Sequence, residues 1–206
     1  DELEEKKLDG SEIHDNVYTA NVTLEPRVSR FEIYGFQYTQ EGDVPKYTSV
    51  KLQKIALNNY YTQSDFVSKL PVEDTKGFET IDHTEVWGWI EDRSAPWADE
   101  LNLELAVGGK KFVDGTDITD PAEDGEDAAG IITYGLAHVT DAAKNPELLL
   151  ALRGVNSNSE VPLYLRGQFT NASAFTSGKI YRVLYSFTDG DFDEPERCVE
   201  LNVDVA

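Results

Sequence analysis

The sequence predicts an all-β fold, with short strands packed as an antiparallel sandwich or barrel. Three observations predict it. Apolar residues recur with period two in many short runs, which is the side-chain period of a strand. Gly, Pro, Asn and Asp turn signals separate those runs. No stretch carries a helical period of ordinary length, and no internal repeat of fixed period is present.

Residues 1–16, DELEEKKLDGSEIHDN, are charged and weakly patterned, and read as a mobile leader or linker. Glu2–Lys7 has the material for one helical turn, but little apolar surface follows to hold it. Residues 17–206 read as one β-sandwich domain. It opens with Val17–Tyr38, two extended runs separated by Pro26. Val22 and Leu24 fall on one parity, Phe31 and Ile33 on the other, so a bulge or kink is expected near Pro26–Arg30. Tyr34, Phe36 and Tyr38 then put aromatics on the parity opposite Phe31 and Ile33, so both faces are expected to be covered. Coverage on two faces favours a sandwich core.

A loop around Gly42–Pro45 leads to Tyr47–Tyr61. Its shortness predicts that the strands on either side pair antiparallel. Val50 and Leu52 share one parity and Ile55 and Leu57 the other, which predicts a break near Gln53–Lys54. Asn58–Asn59 predicts the strand end, because Asn tolerates left-handed backbone. Residues 62–130 form a long irregular insertion punctuated by Gly and Pro. Within it Asp65–Leu70 reads as a short helix, and Val86–Ile90 and Leu101–Val107 as short strands. Such insertions usually lie at the surface and often carry function.

Regularity returns with a strand at Ile131–Val139. Leu148–Val155 is apolar on both faces, as in a central strand. Val161–Phe169 follows after a hairpin loop, with Val161, Leu163, Leu165 and Phe169 on one side. Lys179–Thr188 aligns Tyr181, Val183, Tyr185 and Phe187. Asp189–Pro195 is a turn, and Cys198–Val205 is the last strand. Val199, Leu201, Val203 and Val205 share its inner face; Cys198, Glu200, Asn202 and Asp204 face water.

The chain has 206 residues, of which 40% are hydrophobic and 11% aromatic, enough to build a sizeable core. A formal net charge of -21 argues against a nucleic-acid surface, where clustered Lys and Arg neutralise phosphate. It also disfavours an anionic membrane face. Cys198 is the only cysteine, so no internal disulfide forms, and it reads as a small strand residue rather than a catalytic thiol. No methionine is present, even at position 1, so the chain is expected to start after a cut. There is neither a signal peptide nor an apolar run long enough to span a bilayer as a helix.

No motif of an enzyme stands out. His14, His83 and His138 lie far apart without ligand spacing, and neither HExxH nor CxxC occurs. GxSxG and a phosphate-binding glycine loop are absent too. Carboxylates are too abundant to single out the pair that glycoside hydrolysis needs. The acidic runs DGTDITD, within Asp114–Asp127, and DGDFDE, from Asp189, offer clustered oxygens of the kind calcium takes. Turn-forming Asp and Gly explain both runs without metal. Trp87, Trp89 and Trp97, near Tyr60 and Tyr61, motivate a carbohydrate-binding surface by stacking on sugar rings; the competing reading is core filling under a long loop. Asn21-Val-Thr23 and Asn171-Ala-Ser173 fit the glycosylation sequon, which is short and common by chance.

Three stretches carry a family resemblance: VTLEPRVSRFEI, LQKIALNNYY and the closing SGKIYRVLYSFTDGDFDEPERCVELNVDV. In this order they resemble the C-terminal half of Bacteroidales-type fimbrillins, over roughly Val22–Tyr61 and Leu148–Val205. These are subunits of cell-surface fimbriae. The resemblance implies a transthyretin-like, Greek-key sandwich and a non-catalytic structural or accessory subunit supporting adhesion. It implies other fimbrial subunits as partners, with surface glycans or proteins as further ones. It also implies no cofactor, and export to the cell surface through the outer membrane as a lipoprotein precursor trimmed at its N-terminus. Assembly would be by strand exchange, for which Val199, Leu201, Val203 and Val205 form the candidate strand. The family usually carries a further N-terminal β domain and often continues past its last strand. Neither is expected within these 206 residues, which read as a trimmed fragment or an unusually short member, and this leaves shaft, anchor and tip roles open.

Overall fold

The computed structural model describes residues 4–5, 18–19, 23–63, 65, 78–79, 98–119, 130–136, 138–139, 146–157, 159–169, 174–193, 198–201 and 203–205. Among them there is no helix. In chain order the strands are β1 (Glu4–Glu5), β2 (Tyr18–Thr19), β3 (Val28–Thr39), β4 (Ser49–Asn58), β5 (Tyr60–Tyr61), β6 (Phe78–Glu79), β7 (Ala98–Ala106) and β8 (Lys110–Phe112). They continue with β9 (Ile131–Leu136), β10 (His138–Val139), β11 (Glu147–Asn156), β12 (Ser159–Phe169), β13 (Ala174–Phe175), β14 (Ile180–Thr188), β15 (Cys198–Leu201) and β16 (Val203–Val205).

Two large sheets make a sandwich, as the alternation predicts. The back sheet runs β15-β12-β11-β4-β7, and the front sheet runs β16-β14-β3-β8 with β9 also beside β3. Most pairings are antiparallel, but β3–β14 and β12–β15 are parallel, so both sheets are mixed. The inner faces meet in one apolar cluster. It includes Phe31, Ile33, Phe36 and Tyr38 from β3, Leu148, Leu150 and Leu152 from β11, and Tyr181, Val183, Tyr185 and Phe187 from β14.

Parallel register sets the aromatics of β3 and β14 side by side. Phe31 faces Tyr181, Phe36 faces Tyr185 and Tyr38 faces Phe187. Their ring centroids lie 5.7, 6.1 and 5.7 Å apart, with planes within 25–27°. Each such pair adds about 0.5–1.5 kcal/mol beyond area burial.

In the back sheet, every residue of Glu147–Leu152 is buried, so this central strand is covered on both faces as expected. β11 and β12 form the expected hairpin with Asn156 opposite Ser159, a tighter turn than the sequence suggests. Asn59 ends the β4 run at φ 56°, in the left-handed region that Asn tolerates. The break in β4 falls where the parity change predicts it. Leu52 faces Leu152 and Lys54 faces Ala151, leaving Gln53 as the extra residue.

Other expectations are corrected. β3 and β4 do not pair; they lie in opposite sheets. Each has an apolar inner face, and stacking across the core covers both faces where edge pairing would not. The connecting loop is held by Asp189, which accepts the Glu41 N–H at 2.7 Å and the Lys46 N–H at 2.9 Å. Only the second of the two opening runs is a long strand. Thr23–Arg27 lies outside any strand and Leu24 is 87% exposed. The parity change in β3 falls at Tyr34, between Ile33 opposite Val183 and Gly35 opposite Leu184. There β9 stops and β8 begins along the same edge of β3. The Tyr34 carbonyl accepts the Val113 N–H at 3.1 Å, and a Cβ at Gly35 would lie 2.7 Å from the Lys111 carbonyl oxygen.

Within the stretch read as a leader, Glu4–Glu5 is extended and pairs with Tyr18–Thr19. The stretch read as an irregular insertion supplies β7 to the back sheet and β8 to the front one. The strand expected at Leu101–Val107 is β7, which starts three residues earlier. The run expected at Ile131–Val139 is divided, with β9 on β3 and β10 on β13. The short helix expected at Asp65–Leu70 and the strand at Val86–Ile90 lie outside the described residues, save Asp65 itself.

Candidate functional site

The last strand is divided between the two sheets. Cys198–Leu201 pairs parallel with Arg166–Phe169 at the edge of the back sheet. Val203–Val205 pairs antiparallel with Tyr181–Val183 at the edge of the front sheet. The expected single strand therefore crosses from one layer to the other between Leu201 and Val203. A strand at a sandwich corner has two unpaired edges within reach, and an alternating sequence serves both. Val199 and Leu201 are 8% and 1% exposed, facing the core as their parity predicts. For Val203 and Val205 the structure gives the pairing, opposite Val183 and Tyr181.

Leu201 packs directly on the backbone of Gly167. A Cβ there would lie 2.6 Å from Leu201 Cδ1 and 2.8 Å from Tyr185 Oη. The glycine is therefore a requirement for docking of the final strand. Beyond the four paired residues, the outer edge of β12 at Ser159–Leu165 has no strand beside it among the described residues. Pro162 lies in that stretch, and a residue with no N–H blunts an edge against further pairing.

A second feature lies on the outer face of the back sheet. The extra residue Gln53 changes the parity of β4, so Lys51 and Lys54 both face outward. Arg153 lies opposite Lys51, and Tyr164 and Lys54 flank Ala151. Together with Glu100, Asn102 and Pro162 these side chains line a hollow of about 600 Å³. The Lys51 ammonium donates to the Glu160 carboxylate. That hydrogen bond, with the attraction of the charges, raises the lysine and lowers the glutamate from their ordinary pKa values; Arg153 also lowers Glu160. Sequence reading missed this hollow. Its signal was the parity change at Gln53 flanked by two lysines, but the strand opposite has to be known before Arg153 and Tyr164 join them.

Trp87, Trp89 and Trp97 lie outside the described residues. Of the acidic runs, Asp114 accepts Thr116 N–H at 2.9 Å and its hydroxyl at 2.7 Å. Asp191 accepts Thr188 N–H at 2.8 Å. These carboxylates serve their own turns, and among the described residues no three His, Cys, Asp or Glu side chains converge as metal ligands.

No protein-family model matches the chain, and no curated protein matches it. Solved structures resemble it at low identity, among them two from Bacteroidales. One is a candidate cell adhesion protein of Parabacteroides distasonis, with TM-score 0.51 and 13% identity over 88% of this chain and 51% of that one. The other is a candidate cell adhesion protein of Bacteroides eggerthii, with TM-score 0.48 and 12% identity over 92% of this chain and 58% of that one. The chain thus spans little more than half the length of either.

Proposed function

We propose that the chain is a non-catalytic subunit of a cell-surface adhesive fibre of the fimbrillin kind, joined to its neighbours by exchange of the final strand. The observation that carries this reading is the place of Cys198–Val205. It sits at the margin of both sheets, held by four residue pairs on one side and three on the other. The same segment of a second copy offers the same backbone groups and the same alternating side chains, so exchange conserves every ladder bond. The Parabacteroides neighbour of the same fold, described as a candidate cell adhesion protein, supports a surface role. Export as an outer-membrane lipoprotein, with trimming of the N-terminus before assembly, belongs to the same reading.

The test is removal of residues 198–206. The truncated chain is expected to bind a synthetic peptide of that sequence, and the intact chain to form ladders or filaments after protease trimming of its precursor. A precursor that stays monomeric after trimming, with a truncated chain indifferent to the peptide, sinks the proposal. The alternative is a surface carbohydrate-binding module using Trp87, Trp89 or Trp97. It requires tryptophan fluorescence to change with glycans, and silence across a broad panel removes it.

A further inference from the structure

The hollow on the back sheet is built from groups that recognise a sugar acid. Three cations, Lys51, Lys54 and Arg153, line it with Glu100, while Glu160 and Glu104 act on Lys51 from beside it. Tyr164 supplies a ring, and Gln53 and Asn102 supply amides that both donate and accept. Hydroxyl-rich ligands need such two-way partners, and the apolar face of a pyranose packs on an aromatic ring. The volume of about 600 Å³ is in the range of small-ligand sites.

The chain also shows which group the cations accept. The Glu160 carboxylate reaches over from the start of β12 to the Lys51 ammonium and into the field of Arg153. Its side chain is 43% exposed, so it can swing into solvent at little cost. Glu160 thereby stands where the carboxylate of a ligand would sit.

We propose that this hollow binds a saccharide residue bearing a carboxylate. The Lys51 ammonium takes the carboxylate in place of Glu160 with the Arg153 guanidinium beside it, Lys54 donates to hydroxyl oxygens, and the sugar ring lies against Tyr164. The proposal gives the adhesive reading a ligand class and rests on that reading for its setting. Binding itself does not require strand exchange.

The experiment titrates the purified chain by calorimetry with a glucuronic acid disaccharide, N-acetylneuraminic acid, the neutral glucose disaccharide and inorganic phosphate. Saturable binding is expected for at least one acidic sugar, roughly tenfold weaker or absent for the neutral sugar and phosphate. Arg153→Ala and Tyr164→Ala each weaken it about tenfold, and Arg153→Lys several-fold, because the fork geometry is lost. Glu160→Gln strengthens it, a change of sign that general destabilisation does not produce. Circular dichroism checks that each variant is folded. Absence of saturable binding, binding undiminished in both alanine variants, or phosphate binding as tightly as the sugar acid overturns the proposal. Filament formation is scored separately on Arg153→Ala; its persistence alongside lost sugar binding separates the hollow from assembly.

Discussion

Asp189 shows how much one buried carboxylate can organise. It is 3% exposed, and its two oxygens accept backbone N–H groups from Glu41 and Lys46. Burial works against its ionised form, but those hydrogen bonds and the Lys46 ammonium outweigh it and hold the carboxyl below its usual range. Beside it, the Tyr38 hydroxyl is pushed up to about 12 by burial and by the Asp189 charge. A carboxyl lowered on folding gives stability that is complete above its unfolded value, about 3.9, and is lost as pH falls through the folded value. Asp189→Asn is therefore expected to be less stable than the native chain at neutral pH and to lose part of its stability slope below about pH 4. Urea midpoints between about pH 2 and pH 7 measure both. Glu147 is a second buried carboxylate, with Arg166 Nη2 at 2.6 Å and Asn58 Nδ2 at 3.3 Å donating to it. Glu147→Ala removes that acceptor from Arg166 and is expected to cost about 3–5 kcal/mol, read from the same midpoints. Neither role was legible in a chain with 39 acidic residues, because burial and partners are set by strands distant in sequence.

Among the elements, β4 is where sequence and structure agree most closely. Its parity change announced a bulge, and the extra residue Gln53 is that bulge. Deleting Gln53 makes β4 strictly alternate, with Val50, Leu52, Ile55 and Leu57 all still inward. Deleting Lys51 instead turns Val50 away from Leu52. The first deletion is expected to fold with its hollow narrowed. The second is expected to lose about 1.5–3 kcal/mol more from the misplaced valine, as a lower urea midpoint. The final strand makes the opposite point. Its alternation was plain, yet alternation says only that one side is buried, and both layers offered an edge. Gly167→Ala tests its docking: the added methyl displaces Leu201 and presses on the Tyr185 hydroxyl, so residues 198–205 are expected to become more open to proteolysis while the far-UV β-sheet dichroism persists.

For the whole molecule, charge and edges act against each other. A net charge of -21 separates copies of the chain, while the proposed strand exchange has to bring them together through the final strand at the margin of both sheets. Raising salt from about 0.01 M to about 0.15 M shortens the screening length from roughly 30 Å to roughly 8 Å. Assembly by strand exchange is thus expected to quicken with salt, followed by light scattering; a rate that falls counts against edge pairing as the limiting step. Side-chain parity is a local property of the backbone, so the all-β class, the inner faces of β12 and β14, and the break at Gln53 could all be read from the residues alone. The folded molecule was needed to learn that β3 and β4 lie in opposite sheets, that β3 and β14 run parallel, and that one closing strand serves both layers. Those outcomes depend on which edges meet in space, and a two-residue period is the same whichever edge a strand finds.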